Sequence, residues 1–555
     1  MRGREAIWDS LIDLGVETVF GYPGGAVISL YDAMPTAIHH VLVRHEQGAA
    51  MAADGYARAT GRLGVCVATS GPGALNLVSG LANAFLDSVP VLAITGQVST
   101  AQLGRDAFQE TDVFGATMSL TKHNYLVNRV DDLPRVLNEA AYIAQAGRKG
   151  PVLVDVPRDV MDAEVPEGAD STPRLPGYRP RQRGHPAQME RAARTLAAAG
   201  RPVILAGGGV KWSGASPLLV RLAQKTGAPV ATTLMGLGTM PAGHPLFLGM
   251  MGMHGTPAAN GAVQECDVLL ALGVRFSDRV TGARESFAPS AQIIHVDVDP
   301  AELGKNVPAH IPIVGDIRHV LEDLLPLVPE KRHDEWVSRV NSMKRPGADD
   351  GTAVRTIMAL AAATEGLARS DDLIVVTDVG QHQMWVAQHY PFYHPGTLIT
   401  SGGLGAMGYG LPAAVGAALG CPRKTVVLVT GDGSLQMNVQ ELATVVQERL
   451  PVKIVLLDNT SLGMVRQWQE MFFGGNLVAV SLRGPDWVAL ARAYGLAAWR
   501  AGSPTEVEDG LASLLRNPGP GLLHCPVPPE ENVLPMVPPG ESISRIIVES
   551  RGGAT

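Results

Sequence analysis

TVVLVTGDG at 425–433 and KIVLLDN at 453–459 decide how this 555-residue chain folds. The runs 425–430 and 453–457 are the near-continuous apolar stretches that parallel strands buried on both faces carry. The first ends in the tight turn Gly431-Asp432-Gly433. The second ends in Asp458-Asn459, with Asn459 standing 26 positions after the last of those glycines. Side by side, the two strand ends offer a carboxylate, an amide oxygen and a backbone carbonyl at the edge where open α/β sheets bind ligands. Such donors suit Mg²⁺, which takes a few protein oxygens and fills its octahedron with water and a diphosphate. A lone Gly-Asp-Gly is common in turns. The second strand and its asparagine at this spacing favour the metal.

Working outward, β-rich runs alternate with Ala/Leu-rich helical stretches along nearly the whole chain. Runs at 16–20, 41–44, 64–69, 89–95 and 151–156 mark a first unit. Those at 202–206, 229–233, 268–273 and 292–298 mark a second, and those at 373–377, 425–430, 453–457 and 521–525 a third. Strands alternating with helices predict parallel sheets covered on both faces. The expectation is three doubly wound α/β domains at 1–164, 186–327 and 352–540. Linkers are expected at 165–185, rich in proline and arginine, and at 328–351, charged and containing Arg345-Pro346-Gly347. The two outer units repeat one another at the level of pattern only.

The bulk composition narrows the function. A net charge of −8 over this length argues against nucleic acid as partner. No run approaches the roughly 18 apolar residues of a membrane span, and charges at Arg2, Arg4, Glu5, Asp9 and Asp13 interrupt any leader-like stretch. Cys66, Cys266, Cys421 and Cys525 form no CxxC pair and read as small hydrophobes of a reducing compartment, so the cytoplasm is expected.

Arg44-His45-Glu46-Gln47-Gly48-Ala49-Ala50 follows a strand and opens a helix of small residues. Glutamate at a helix start is usually a dipole partner. Here the tight apolar turn behind it would leave Glu46 poorly solvated and easier to protonate. A carboxyl of that kind is what N1′ of an aminopyrimidine cofactor requires. Thr69–Asn76, read as TSGPGALN, is a Gly-rich turn open to several uses. Gly403-Leu404-Gly405-Ala406-Met407-Gly408 matches G-x-G-x-x-G but lacks the acidic residue about 20 positions on, so a dinucleotide reading there is weak. In the second unit, Gly207-Gly208-Gly209 after one strand and Asp297 at the end of another leave nucleotide binding open beside a plain turn. Met464, Val465 and Trp468 fall on one helical face, either core or the wall of a pocket.

Taken together these segments resemble the large catalytic subunits of acetolactate synthase (acetohydroxyacid synthase), from about residue 8 to 540. The likeness rests on FGYPGG (20–25), RHEQGAAMAADGYARATG, ATSGPGALNL, DAFQETD (106–112), TKHNYLV (121–127), TLMGLG, LGMMGMHGT, GVRFSDRVTG, DVGQHQMW, SGGLGAMGYGLPAA and LDNTSLGMVRQWQ. Asp458 ahead of Asn459 is nearer the isozyme II type. Ser277 replaces the first of the family's usual paired aspartates, and Arg105 stands where threonine is frequent.

The resemblance implies pyrimidine-binding, FAD-binding and diphosphate-binding domains and a homodimer or tetramer with active sites at the subunit interface. Thiamin diphosphate would meet Glu46, Val379, Gly380, Gln381, His382, Gly405, Met407, Gly433, Ser434 and Gly463. Mg²⁺ would take Asp432, Asn459 and the carbonyl of Ser461. FAD would lie along Gly208, Thr233, Leu234, His254, Arg275, Asp297, Val298 and Asp316. Gly25, Phe108, Gln109 and Lys122 would approach the reacting atoms, with Gly25 donating an N–H to a developing oxyanion. Arg275 would hold the second substrate's carboxylate, and Met464 and Trp468 would wall its pocket. The implied activity decarboxylates pyruvate and joins the two-carbon unit to pyruvate or 2-ketobutyrate, feeding branched-chain amino acid synthesis, with a small regulatory subunit as partner. Pyruvate oxidase is the nearest alternative. A non-catalytic nucleotide-binding relative is disfavoured by the presence of Glu46, Asp432 and Asn459.

Overall fold

The computed structural model describes residues 1–344 and 351–549, so Arg345-Pro346-Gly347 of the second expected linker lies outside the described residues. Three six-stranded, wholly parallel sheets follow one another along the chain. The first contains β1 (Thr18–Tyr22), β2 (His39–Leu42), β3 (Gly64–Ala68), β4 (Val91–Gln97), β5 (His123–Leu126) and β6 (Val152–Pro157), in the order β2-β1-β3-β4-β6-β5. The second contains β7 (Pro202–Ala206), β8 (Val230–Thr232), β9 (Phe247–Met250), β10 (Val268–Leu272), β11 (Gln292–Asp297) and β12 (Ile311–Val314), in the order β12-β11-β10-β7-β8-β9. The third contains β13 (Leu373–Thr377), β14 (Leu398–Ile399), β15 (Thr425–Gly431), β16 (Lys453–Asp458), β17 (Ala497–Arg500) and β18 (Gly521–Pro526), in the order β14-β13-β15-β16-β18-β17.

Counted within each domain, the first and third sheets share one order, 2-1-3-4-6-5, so the outer units repeat one another in topology. The middle sheet runs 3-2-1-4-5-6, the order of dinucleotide-binding folds. In the third sheet β15 pairs with β16, Gly431 opposite Leu457. The two motif ends therefore lie side by side.

The outer domains join through helices Glu46–Thr60 and Gly410–Gly420, both almost wholly buried. Small residues permit this approach. A Cβ on Gly55 would collide with the Ala413 backbone, and one on Gly416 with the Ala52 carbonyl oxygen. One apolar core runs continuously from Phe20 and Val41 through these helices to Val426 and Leu428.

One difference from the sequence reading stands out. The segment expected as the linker 328–351 contains helix Asp334–Ser342. Trp336 and Val340 bury into the middle domain, and the Trp336 indole donates to the Pro202 carbonyl at 3.0 Å. Two buried positions in a charged stretch give too little periodicity to read. The segment 165–185 has no helix or strand, and Leu175 and Tyr178 lie against the first domain. No described helix is long and apolar enough to cross a membrane.

Candidate functional site

The first domain gathers one cluster at the carboxyl ends of its strands. His45 caps helix Glu46–Thr60, its ring accepting the Gln47 N–H at 3.1 Å, and sets Glu46 as the first helical residue. Glu46 is only 8% exposed, and its Oε2 accepts from Asn76 Nδ2 at 2.9 Å. A Cβ on Gly73 would stand 3.0 Å from Glu46 Oε1, so the glycine keeps that oxygen accessible. Thr69 ties the cluster together: its hydroxyl accepts the Ala26 N–H at 3.2 Å, and its methyl touches where side chains on Gly24 and Gly73 would project. Gln109, at φ +58°, places its carbonyl against Gly71. Glu46, Gly25 and Gln109 are thus on one cluster of turns, and Phe108 projects from it, 89% exposed.

Lys122 is not part of this cluster. Its ammonium donates to the Ala146 carbonyl at 2.8 Å, to the Ile143 carbonyl and to the Tyr178 hydroxyl at 2.9 Å. It satisfies the carbonyl end of helix Leu133–Gln145, a common place for a cation. Burial lowers it to about 8. Among the described residues these three oxygens are its partners, and one of them, on Ala146, belongs to a residue of the cavity wall.

The third domain builds a second cluster around β15 and β16. Asp432 is buried, and its Oδ2 has no hydrogen-bond partner. Burial, with the Asp458 carboxylate beside it, pushes Asp432 up to about 7. Asp458 itself is engaged by His524 at 2.9 Å and the Thr460 N–H at 3.0 Å. Asn459 donates to Gln381 Oε1 at 3.0 Å, leaving its own oxygen to the Ser461 N–H at 3.1 Å. A side chain on Gly463 would overlap Gln381 and Asn459, and one on Gly433 would meet Leu482, Leu462 and Met407. Ser434 donates to the Val379 carbonyl at 2.8 Å. His382 is buried with an unpartnered Nε2, and burial lowers it to about 3. Buried polar atoms left without partners are costly unless something charged or polar meets them. Asp432, Asn459 and the Ser461 carbonyl could hold a hard cation; among the described residues no group of three His, Cys, Asp or Glu offers one a site.

A cavity of about 910 Å³ opens among the three domains, with residues 86–88 and 145–149 of the first in its wall. Gly208, Thr233, Leu234, His254, Arg275, Asp297, Val298 and Asp316, all eight residues expected to carry a flavin dinucleotide, line it. Val379, Gly380, Gly405, Met407, Met464 and Trp468 line its other side. Burial raises Asp297 to about 6, lowers His254 to about 4 and lowers the Arg275 guanidinium. Val465 departs from the expected stripe: it is 48% exposed and outside the cavity. The Trp468 indole N–H is buried without a partner, its ring stacked by Arg279 at 5.4 Å. Sequence reasoning missed Arg148 and Glu302, paired at 2.6 Å in the cavity wall, and Asn76, which lay inside a motif whose individual side chains had no assigned work. Glu46, Gly25, Phe108 and Gln109 do not line this cavity.

The chain matches three family descriptions in order: "Thiamine pyrophosphate enzyme, N-terminal TPP binding domain" over residues 1–116, "Thiamine pyrophosphate enzyme, central domain" over 189–324, and "Thiamine pyrophosphate enzyme, C-terminal TPP binding domain" over 378–525. It is 49% identical to the "Probable acetolactate synthase large subunit" of Methanocaldococcus jannaschii, covering 99% of this chain and 95% of that one. Identity is 48% to the "Acetolactate synthase isozyme 2 large subunit" of Escherichia coli, over 99% of both chains. Against the "Acetolactate synthase 2, chloroplastic" of Nicotiana tabacum it is 46%, over 99% of this chain and 86% of the relative. With near-half identity along its full length and the three domains in order, the chain belongs to the acetolactate synthase large-subunit family of thiamine pyrophosphate enzymes.

Proposed function

We propose that the chain is the catalytic subunit of an acetolactate synthase. It decarboxylates pyruvate and joins the remaining two-carbon unit to the ketone of a second pyruvate or of 2-ketobutyrate, yielding 2-acetolactate or 2-aceto-2-hydroxybutyrate. One observation carries the reading: a chain similar to such enzymes over its full length keeps a buried carboxyl at Glu46, held by the Asn76 amide, together with Asp432 and Asn459 at adjoining strand ends.

The residues fit the cofactors this reaction needs. The buried, unpartnered Asp432 oxygen, the Asn459 amide and the Ser461 carbonyl suit Mg²⁺. Val379, Gly380, Gln381 and His382, with Gly433, Ser434 and Gly463, would cradle the diphosphate. Met407, beside Gly405, would support the ring system. Bound there, thiamin diphosphate supplies a carbon that accepts the charge left by decarboxylation. Glu46 would hold and return a proton at N1′, and Gly25 would offer its N–H to a developing oxyanion. Arg275 would take the acceptor's carboxylate, and Met464 and Trp468 would wall the acceptor's alkyl chain. Phe108 and Gln109 would close that space from the first domain. The large cavity, the 3-2-1-4-5-6 sheet and Asp297 at a strand end suit FAD. No electrons are transferred overall, so the flavin would be structural.

Because Glu46 does not line the cavity that Met407 lines, the proposal includes a homodimer in which a second copy supplies it. Ile28, Leu75, Phe108 and Met118 are exposed apolar side chains of the first domain, and Leu404, Met437 and Val465 of the third. An interface between copies would cover such surface. The relatives are named large subunits, which supports a small regulatory partner.

The test is acetoin released by acidification after incubation with pyruvate, Mg²⁺, thiamin diphosphate and FAD under nitrogen. Wild type gives a strong signal, and Glu46→Gln lowers it by about 10²–10⁴-fold. Acetate formed only when an electron acceptor is present would replace this reading with an oxidase.

A further inference from the structure

The loop from Ser401 to Gly408 carries Met407 and lines the cavity, yet has little regular structure of its own. Its own domain holds the far end, where Asp378 accepts the N–H groups of Gly408 and Gly410, both at 2.9 Å, and makes one bond at the near end, from the Gln383 amide to the Ser401 carbonyl at 2.9 Å. The remaining near-end bonds come from the first domain. Asp87 accepts the Gly402 N–H at 2.9 Å through one oxygen and the Gly403 N–H at 2.7 Å through the other. Ser401 donates to Asn83 at 2.5 Å and accepts the Ala406 N–H at 2.9 Å. Behind these, Arg58 donates to Asp87 at 2.9 Å, to Asp54 at 2.6 Å and to the Thr400 carbonyl at 2.9 Å, and Asp54 accepts the Tyr409 hydroxyl at 2.6 Å.

Asp54, Arg58, Asn83 and Asp87 are all buried. Burying two carboxylates and a guanidinium is expensive unless their hydrogen bonds are nearly complete. Here the bonds that complete them belong to the loop. Arg275 closes the arrangement, since a Cβ on Gly403 would meet both Asp87 Oδ1 at 2.8 Å and Arg275 Nη2 at 3.0 Å. Asp54 and Arg58 sit two to three turns along the helix that Glu46 opens.

We propose that Asp87, backed by Arg58 and Asp54, is a positioning residue that sets the cofactor-supporting loop of its own chain, while Glu46 on the same helix serves the site completed by the second copy. The inference rests on the functional reading above. One rigid helix thereby belongs to two sites: its first turn supplies a proton-holding carboxyl to one, and its later turns fix Met407 in the other.

The test uses the full chain with Mg²⁺ and FAD, and follows quenching of tryptophan fluorescence by thiamin diphosphate, Trp468 being in the cavity wall. Asp87→Asn is expected to raise the cofactor's Kd about tenfold or more, and Ser401→Ala several-fold. At saturating cofactor the pH profile of turnover keeps its wild-type shape, because Glu46 is untouched. In a Met407→Ala background Asp87→Asn adds less than about twofold, the non-additivity expected of groups that act through one another. Folded variants whose Kd stays within about twofold of wild type, or whose effects simply add, overturn the proposal. Should Asp87→Asn fail to fold, Ser401→Ala decides alone. A wild-type chain that binds no thiamin diphosphate would instead overturn the functional reading.

Discussion

The first and third domains share a sheet order and pack through equivalent helices, one after β2 and one after β14, yet they carry opposite equipment. After β2 the chain turns at once into a helix, and the turn leaves a carboxyl at its start. After β14 it makes a long irregular loop before the equivalent helix begins, and that loop holds Met407 and a wall of the cavity. The ends of β15 and β16 add acid and amide, where β3 and β4 end in Thr69 and Gln97. Topology therefore determines where ligands approach, the carboxyl edge of each sheet. What happens there is decided by loop length and by a few polar residues.

The sharpest way to break this comparison is to damage each half separately and mix. Glu46→Gln and Asp432→Asn chains should each lose acetolactate formation by about two orders of magnitude or more. Unfolded gently and reassembled together, they should recover about a quarter of wild-type activity, because half of random pairs are mixed and each mixed pair has one intact site. No recovery, with mixed dimers demonstrated by a tag, would mean that both halves act within one chain.

A smaller effect separates proton chemistry from acceptor choice. If the third domain selects the acceptor, Trp468→Leu should cut the preference for 2-ketobutyrate over pyruvate by about tenfold, within the 1–3 kcal/mol that one methylene is worth. Competition between the two acceptors measures it, and an unchanged product ratio would move selection elsewhere. Phe108→Ala is the matching change in the first domain.

The same contrast explains what was legible in the sequence. The strands found from apolar runs are nearly all interior ones. The five not anticipated, β5, β9, β12, β14 and β17, all stand at sheet edges. An edge strand is short and half solvated, as in His123–Leu126 and Ala497–Arg500, so it carries no continuous apolar signal. Within the candidate site, Glu46, Asp432 and Asn459 could be singled out because they stand at strand and helix ends, whereas most of the cavity's lining was expected only from the family resemblance. Asp87 was not anticipated. It looks like any helix-terminal acid until the distant loop it holds is placed against it.

The helix pair itself offers the next test. Gly416→Ala would press a methyl onto the Ala52 carbonyl oxygen, and Gly55→Ala one onto the Ala413 backbone. Neither neighbour is a side chain that can swing aside. Each change should cost about 1–3 kcal/mol, seen as a lower midpoint of thermal inactivation. If the two helices are equivalent halves of one joint, the losses should be similar and the double variant far from additive. Losses confined to one variant would break the equivalence.

Buried carboxylates give the finest comparison. Asp378 of the third domain, at the end of β13, receives backbone N–H groups from Val379, Gly408 and Gly410, and burial raises it only to about 6. Asp155 of the first, in β6, has only the Thr95 hydroxyl at 2.7 Å and the Gln97 amide at 3.0 Å, and burial raises it to about 7. Folded Asp155 thus keeps a proton that the unfolded chain, with its ordinary carboxyl, has already lost. Its contribution to stability is complete below the unfolded value, near 4, and is lost as pH rises through 7. The ceiling is about 4 kcal/mol for a shift of about three units. Asparagine at 155 does not titrate, so the melting temperature of wild type minus that of Asp155→Asn should fall by a few degrees between pH 5 and pH 8. Parallel curves would mean that Asp155 is solvated by something other than Thr95 and Gln97. The charge on Asp155 would also act on the turn that carries Phe108 and Gln109, because Gln97 donates from the same amide to the Thr111 carbonyl at 2.9 Å, at the base of that turn.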